Sequence, residues 1–107
     1  MIKLLLTIGD VVTNEFLLVK PEVTLGRSDD NDIVLDDPLV SGCHARIVLN
    51  ERSGSLSLQD LNSTNGTRVN GQEIRKISLR QGDTIQMGRC VLLVHDDRTC
   101  SPTQSQK

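Results

Sequence analysis

Three short polar stretches of this 107-residue chain carry side chains that could bind or transform a ligand: Gly26-Arg27-Ser28, Ser41-Gly42-Cys43-His44 and Asn62-Ser63-Thr64-Asn65-Gly66-Thr67. Arginine presents a planar fork of donors that matches phosphate oxygens, hydroxyls add donors, and glycine lets backbone N–H groups approach an anion. Asn65 has both a carbonyl and an NH2, which suits the two-way hydrogen bonding of a peptide backbone. The inventory suits a phosphate. Other chemistries fit less well. Ser41 and His44 could act as nucleophile and base, but a hydrolase also needs an orienting acid and an oxyanion hole, and neither has a recognisable motif. Cys43-His44 has no second pair to complete a metal site. Asp29-Asp30-Asn31-Asp32 lacks the alternate spacing, glycine and closing glutamate of an EF-hand loop and reads as turn chemistry. The chain is expected to be no enzyme and to need no cofactor or metal.

Such residues need a scaffold, and the composition indicates which. Apolar residues make up 36% and charged residues 24%, with 14 acidic against 12 basic side chains. That balance allows folding and removes the broad basic surface that nucleic-acid backbones attract. The apolar residues are mostly Leu, Val and Ile, with one Ala (Ala45) and one aromatic (Phe16). β-branched residues pack well on a pleated surface, and there is almost no Ala to favour helix, so an all-β domain is expected. Stacking on bases or sugars has no aromatic platform to use. The length fits one domain, placed at 1–97, with a polar, disordered tail at 98–107.

Short β-type runs occur at Lys3–Ile8, Glu15–Val19, Val23–Leu25, Ile33–Leu35, Ala45–Leu49, Leu56–Gln59, Thr67–Val69, Glu73–Ile74, Thr84–Met87 and Cys90–His95. Regular turn signals between them predict a sandwich or barrel, with helices absent or trivial. Asn70-Gly71 supplies the two positive-φ positions of a type I′ hairpin, and Gly82 and Gly88 mark two more tight turns. Connections at one end of an antiparallel sandwich converge, so the three polar stretches could face one ligand. Three cysteines, Cys43, Cys90 and Cys100, have no paired spacing and read as free thiols in a reducing compartment, cytoplasmic or nuclear. The N-terminal apolar run stops at Ile8 and reads as a strand, not a secretion leader, and no run approaches a membrane span.

In this order and spacing, Gly26-Arg27, Ser41-x-x-His44 and Asn65-Gly66-Thr67 followed by Val69-Asn70-Gly71 resemble the forkhead-associated (FHA) domain, a β-sandwich that binds phosphothreonine peptides. Asp32-Ile33-Val34-Leu35 and Gly82-Asp83 fall in the family's usual places, and the likeness covers residues 3 to 96. The resemblance implies a two-sheet antiparallel sandwich of about eleven strands, FHA/SMAD-like, with the ligand held by loops at one end. It implies that Arg27 ion-pairs with the phosphate, that Ser41 donates to it, and that Thr64 stands at the phosphothreonine pocket. Asn65 would hold the peptide main chain. His44 is implied as a structural tie between the loops, with Gly26 and Gly66 allowing tight backbone paths. Leu39 lies where family members often select the third residue after the phosphothreonine, and its side chain implies an apolar preference there. The implied partner is a phosphothreonine-containing protein, the substrate of a Ser/Thr kinase, bound by a monomeric domain with no role for nucleic acid or membrane.

Two features depart from the family pattern. Gly42 and Cys43 stand where many members carry basic or amide side chains, so donors to the phosphate are lost. Asp29, Asp30, Asp32, Asp36 and Asp37 crowd the neighbouring loops and would repel an anion within a Debye length of about 10 Å. These features motivate an alternative, a phosphate-independent interaction or oligomerisation sandwich that uses a sheet face. A further possibility is self-regulation, with Thr99 or Thr103 phosphorylated and captured by another copy.

Overall fold

A computed structural model describes residues 2–8, 11–50 and 52–96. Alternating apolar residues organise it into two packed sheets. Along β1 (Ile2–Ile8) and β11 (Cys90–Asp96), every second side chain is buried, so Leu4, Leu6, Leu92 and Val94 face inward. They meet Leu25 of β3 (Glu22–Gly26), Ile47 of β5 (Ala45–Leu49) and Leu58 of β6 (Leu56–Asp60) from the second sheet. Each such side chain, fully buried, contributes roughly 1.5–3 kcal/mol before ordering costs.

The first sheet has the order β2-β1-β11-β10-β7-β8, with β2 at Val11–Leu17, β7 at Thr67–Val69, β8 at Gln72–Ile74 and β10 at Thr84–Met87. The second has the order β4-β3-β5-β6-β9, with β4 at Ile33–Val34 and β9 at Lys76–Leu79. Neighbouring strands are antiparallel except β3 and β4, which pair in parallel through Leu25↔Ile33 and Gly26↔Val34. The architecture is the expected all-β sandwich of eleven strands, with no helix among the described residues. None is therefore long and apolar enough to cross a membrane.

The β7–β8 hairpin turns at Asn70 (φ +54°) and Gly71 (φ +85°), as the Asn-Gly pair requires. Two details differ from the sequence expectation. Strand β9 is additional: Ile77 and Leu79 alternate inward and pair with Leu58 and Leu56 of β6. Strand β2 spans Val11–Leu17 instead of Glu15–Val19. It is an edge strand with only Phe16 half-buried, so it shows no inward-outward alternation to read. Cys43 is exposed and Cys90 buried, both as free thiols. The expected tail at 98–107, with Thr99, Cys100 and Thr103, lies outside the described residues.

Candidate functional site

The three polar stretches leave one end of the second sheet side by side. Leu25 on β3, Ala45 on β5 and Asp60 on β6 form one row across it. The row continues beyond the strands, with His44 N–H donating to the Leu25 carbonyl and Leu61 N–H to the His44 carbonyl, both at 2.9 Å. Arg27 N–H then donates to Ser41 O at 2.9 Å and Ser28 N–H to Gly42 O at 3.1 Å. This short ladder sets Arg27 beside Ser41. It needs glycine at position 26, where a Cβ would overlap the Gly42 carbonyl and lie 2.7 Å from Asn31 Nδ2. Asn31 closes the corner by donating to Gly42 O at 2.6 Å and to Ser28 O at 2.9 Å.

Behind the ladder, His44 is completely buried. Its Nδ1 accepts the Ser41 N–H at 3.0 Å, and its Nε2 lies 2.9 Å from the Gly66 carbonyl oxygen. An amide N–H only donates and a carbonyl only accepts, so the ring is the neutral tautomer with its hydrogen on Nε2. One imidazole thereby ties the second loop to the third. Gly66 presents its carbonyl from φ +83°, a backbone region open to glycine at little cost.

Asp60 braces the third loop from beneath. Its carboxylate accepts from Ser63 Oγ, from Ser63 N–H at 3.2 Å and from Thr67 Oγ1 at 2.7 Å, while Ser63 Oγ accepts the Gly66 N–H at 3.0 Å. Burial alone would raise the Asp60 pKa, but the Ser63 and Thr67 hydroxyls outweigh it and hold the carboxyl below the usual range. Asp37 does similar work for the segment before Ser41. It accepts Leu39 N–H at 2.9 Å and Arg89 N–H at 2.8 Å, pinning that segment to the turn between β10 and β11. The Leu39 N–H is the main reason its carboxyl stays below the ordinary range despite burial, with Arg89 assisting.

Arg27, Ser41, Thr64, Asn65 and Leu39 line one open cavity of about 280 Å³. Gly26 and His44 support its walls from behind, and Gly66 lies just past Asn65. Ser41 Oγ accepts the Thr64 N–H at 3.0 Å, which leaves its own hydrogen free to donate. Asn65 donates one amide hydrogen to Leu39 O at 2.8 Å and keeps its carbonyl oxygen and second hydrogen available. The exposed Arg27 guanidinium has no ion-pair or hydrogen-bond partner among the described residues. The cavity thus offers one positive charge and several neutral donors, a set suited to an anion with many acceptor oxygens.

The expected crowd of aspartates is smaller at the site than the sequence implied. Asp37 faces backbone amides, and Asp32 is bonded to Lys20 and to the N–H and hydroxyl of Thr24. Lys20 and the Thr24 amide hold the Asp32 carboxyl below its ordinary pKa. Asp29, Asp30 and Asp36 remain exposed. Sequence reasoning did not single out Asn31, Asp37, Asp60, Ser63 or Thr67 as supports of the site. The Asp60-x-x-Ser63 spacing, with side-chain oxygens that cap nearby amides, was the available signal for the third loop.

A two-sheet sandwich with a donor-lined loop cavity at one end is the class that fold and site define. The FHA domain family model matches residues 23–88, and the chain belongs to the FHA family. It is 43% identical over 74 residues to the oxoglutarate dehydrogenase inhibitor of Corynebacterium efficiens, covering 69% of this chain and 51% of that protein. It is 38% identical over 81 residues to the glycogen accumulation regulator GarA of Mycolicibacterium smegmatis, covering 76% and 50%. The chain therefore spans about half the length of these curated relatives. A solved structure from a structural and functional analysis of phosphothreonine-dependent FHA domain interactions superimposes with a TM-score of 0.77 at 31% identity, covering 88% of this chain and 96% of that one.

Proposed function

We propose that this domain is a non-catalytic reader of phosphothreonine in a partner protein, with Arg27, Ser41 and Thr64 at the phosphate and Asn65 on the peptide main chain. The observation that carries this reading is the shared cavity, in which these four side chains meet and Arg27 faces no carboxylate partner among the described residues. Phosphorylation adds about −1.5 to −2 charges and three acceptor oxygens. Each charge-assisted hydrogen bond to it contributes roughly 1.5–3 kcal/mol. After the ordering of a flexible peptide, micromolar affinity results, about −8 kcal/mol. Leu39, 41% exposed on the cavity wall, offers apolar surface to the third residue after the phosphothreonine. The reading includes a monomeric domain working in a reducing compartment on a protein phosphorylated by a Ser/Thr kinase.

Calorimetric titration with matched phosphothreonine and threonine peptides tests the reading. Binding is expected only for the phosphorylated form, and Arg27→Ala should remove roughly 2–5 kcal/mol of it. Unchanged binding by the Arg27→Ala protein refutes the assignment. One observation favours the alternative of a phosphate-independent interaction surface: edge strand β2 exposes Val11 (64%), Val12 (52%) and Leu17 (49%). A partner retained in a pull-down after phosphatase treatment would establish that second surface.

A further inference from the structure

Pro38 lines the phosphate cavity and also a separate one of about 190 Å³, whose other walls are Ile8, Asp36, Asp37, Arg89 and Cys90. No residue of the third loop is among these walls, so this cavity stands apart from Asn65. Three elements meet here. Ile8 ends β1 and pairs with Val11 of β2, Cys90 opens β11, and Asp36, Asp37 and Pro38 follow β4. That last segment is fixed: the Asp37 carboxylate accepts the Leu39 and Arg89 N–H groups, and its carbonyl accepts the Val40 N–H at 2.9 Å. The turn before β11 packs against it, since a Cβ on Gly88 would lie 3.0 Å from Leu39 Cβ and 3.2 Å from Asp37 Oδ2.

The cavity has an apolar lining and one unmatched acid. Ile8 is 58% exposed, although it is a large aliphatic residue, and Pro38 is exposed as well. Cys90 is buried, and burial, with the Asp37 charge assisting, pushes its thiol pKa up, so the thiol is an uncharged part of the lining. Asp37 is engaged by backbone amides and balanced by the Arg89 charge. Asp36 is exposed, and its carboxylate has no hydrogen-bond or ion-pair partner among the described residues. An apolar surface that ends in an unpaired carboxylate is complementary to a side chain with a hydrocarbon stem and a cationic head. Lysine meets this description, because its compact ammonium is satisfied by a single carboxylate.

We propose that this cavity docks a lysine side chain from the surface of a partner protein, with its stem on Ile8 and Pro38 and its ammonium on Asp36. The site works without phosphate and so goes beyond the phosphothreonine reading, while the shared wall at Pro38 lets one partner occupy both cavities. An exposed ion pair of this kind changes affinity by up to about five-fold.

The test is an NMR titration of the isotope-labelled full chain with n-pentylammonium, n-pentanol and pentanoate, which share a carbon skeleton and differ in the charge of the head group. The amides of Ile8, Asp36, Asp37, Arg89 and Cys90 should shift, with pentylammonium binding about five-fold tighter than pentanol and pentanoate weakest. Asp36→Asn should bring pentylammonium down to the level of pentanol, and Ile8→Ser should weaken all three. Asp29→Asn, which removes an exposed acid from the loop after Arg27, should leave the ranking intact. Nα-acetyl-lysine methylamide should bind as pentylammonium does; binding of the free amine alone would refute a protein-borne lysine as the occupant. The same ranking in wild type and Asp36→Asn, equal binding by Ile8→Ser, or no saturable shift in wild type overturns the inference. Arg27 resonances report the phosphate cavity separately: failure at Asp36 leaves the phosphothreonine reading standing, and a phosphopeptide that leaves Arg27 unshifted overturns that reading alone.

Discussion

Replacing His44 with phenylalanine keeps a flat ring in the buried site and removes both nitrogens. The Ser41 N–H and the Gly66 carbonyl then lose their partners. An unpaired buried polar group costs about 1–3 kcal/mol. Ser41 and Gly66 are half-buried, so water compensates in part, and the sum should be about 2–4 kcal/mol. Against a total stability of roughly 5–15 kcal/mol for a domain of this kind, the variant remains folded at room temperature. Its second and third loops, however, are no longer tied through one ring, and a ligand must order them, so phosphopeptide affinity should fall about ten-fold. The chain has no Trp or Tyr, so urea unfolding is best followed by far-UV circular dichroism. A lower midpoint with an unchanged slope is expected. A stability within about 0.5 kcal/mol of wild type would refute the claim that His44 braces the site.

The low pKa values of Asp37 and Asp60 make stability depend on acid: both carboxyls bind a proton less readily in the folded state. Their stabilisation is therefore complete above the unfolded-chain value near 4 and is lost as pH falls through the lower folded values. Urea midpoints measured from pH 7 to pH 2 should decline below about pH 4, and Asp60→Asn should lower the neutral midpoint and flatten that decline. An identical acid profile in the variant would contradict the bracing role of Asp60. Gly26→Ala should destabilise by about 1–3 kcal/mol through overlap with the Gly42 carbonyl and weaken peptide binding as well. Gly71→Ala meets only open space but a positive φ, so it should cost about 1–2 kcal/mol and leave binding intact. Equal effects of the two glycine variants on affinity would show that the close approach at Gly26 does not shape the cavity.

Local chemistry was legible in the sequence, and contacts between distant segments were legible only through a family pattern. Asn70-Gly71 announces its hairpin because two adjacent positive-φ residues have few other uses. Alternation in Leu4, Leu6, Leu92 and Val94 marks the core strands. The first half of edge strand β2 is exposed and carries no such alternation, and the four residues of β9, with two apolar positions, resemble a loop in sequence. At the site, Arg27, Ser41, Thr64 and Asn65 were named from residue type, order and resemblance. Asn31 could not be, since its role is a bond to a carbonyl 11 residues away. Asp37 and Asp32 looked like repelling charges because the sequence does not show which amides and cations their carboxylates face.

On the proposed function, a single guanidinium with neutral donors at one end of the sandwich distinguishes a phosphorylated threonine from a plain one. Amide and arginine side-chain NMR resonances, followed while phosphorylated and unphosphorylated versions of one peptide are added, test it most directly. The phosphorylated peptide should shift Arg27 Nε–H and the amides of residues 26–28, 39–43 and 62–67, and the unphosphorylated one should shift nothing. Shifts of the same size with both peptides, or shifts confined to β2 and the sheet face beside it, would show that Arg27 does not read the phosphate.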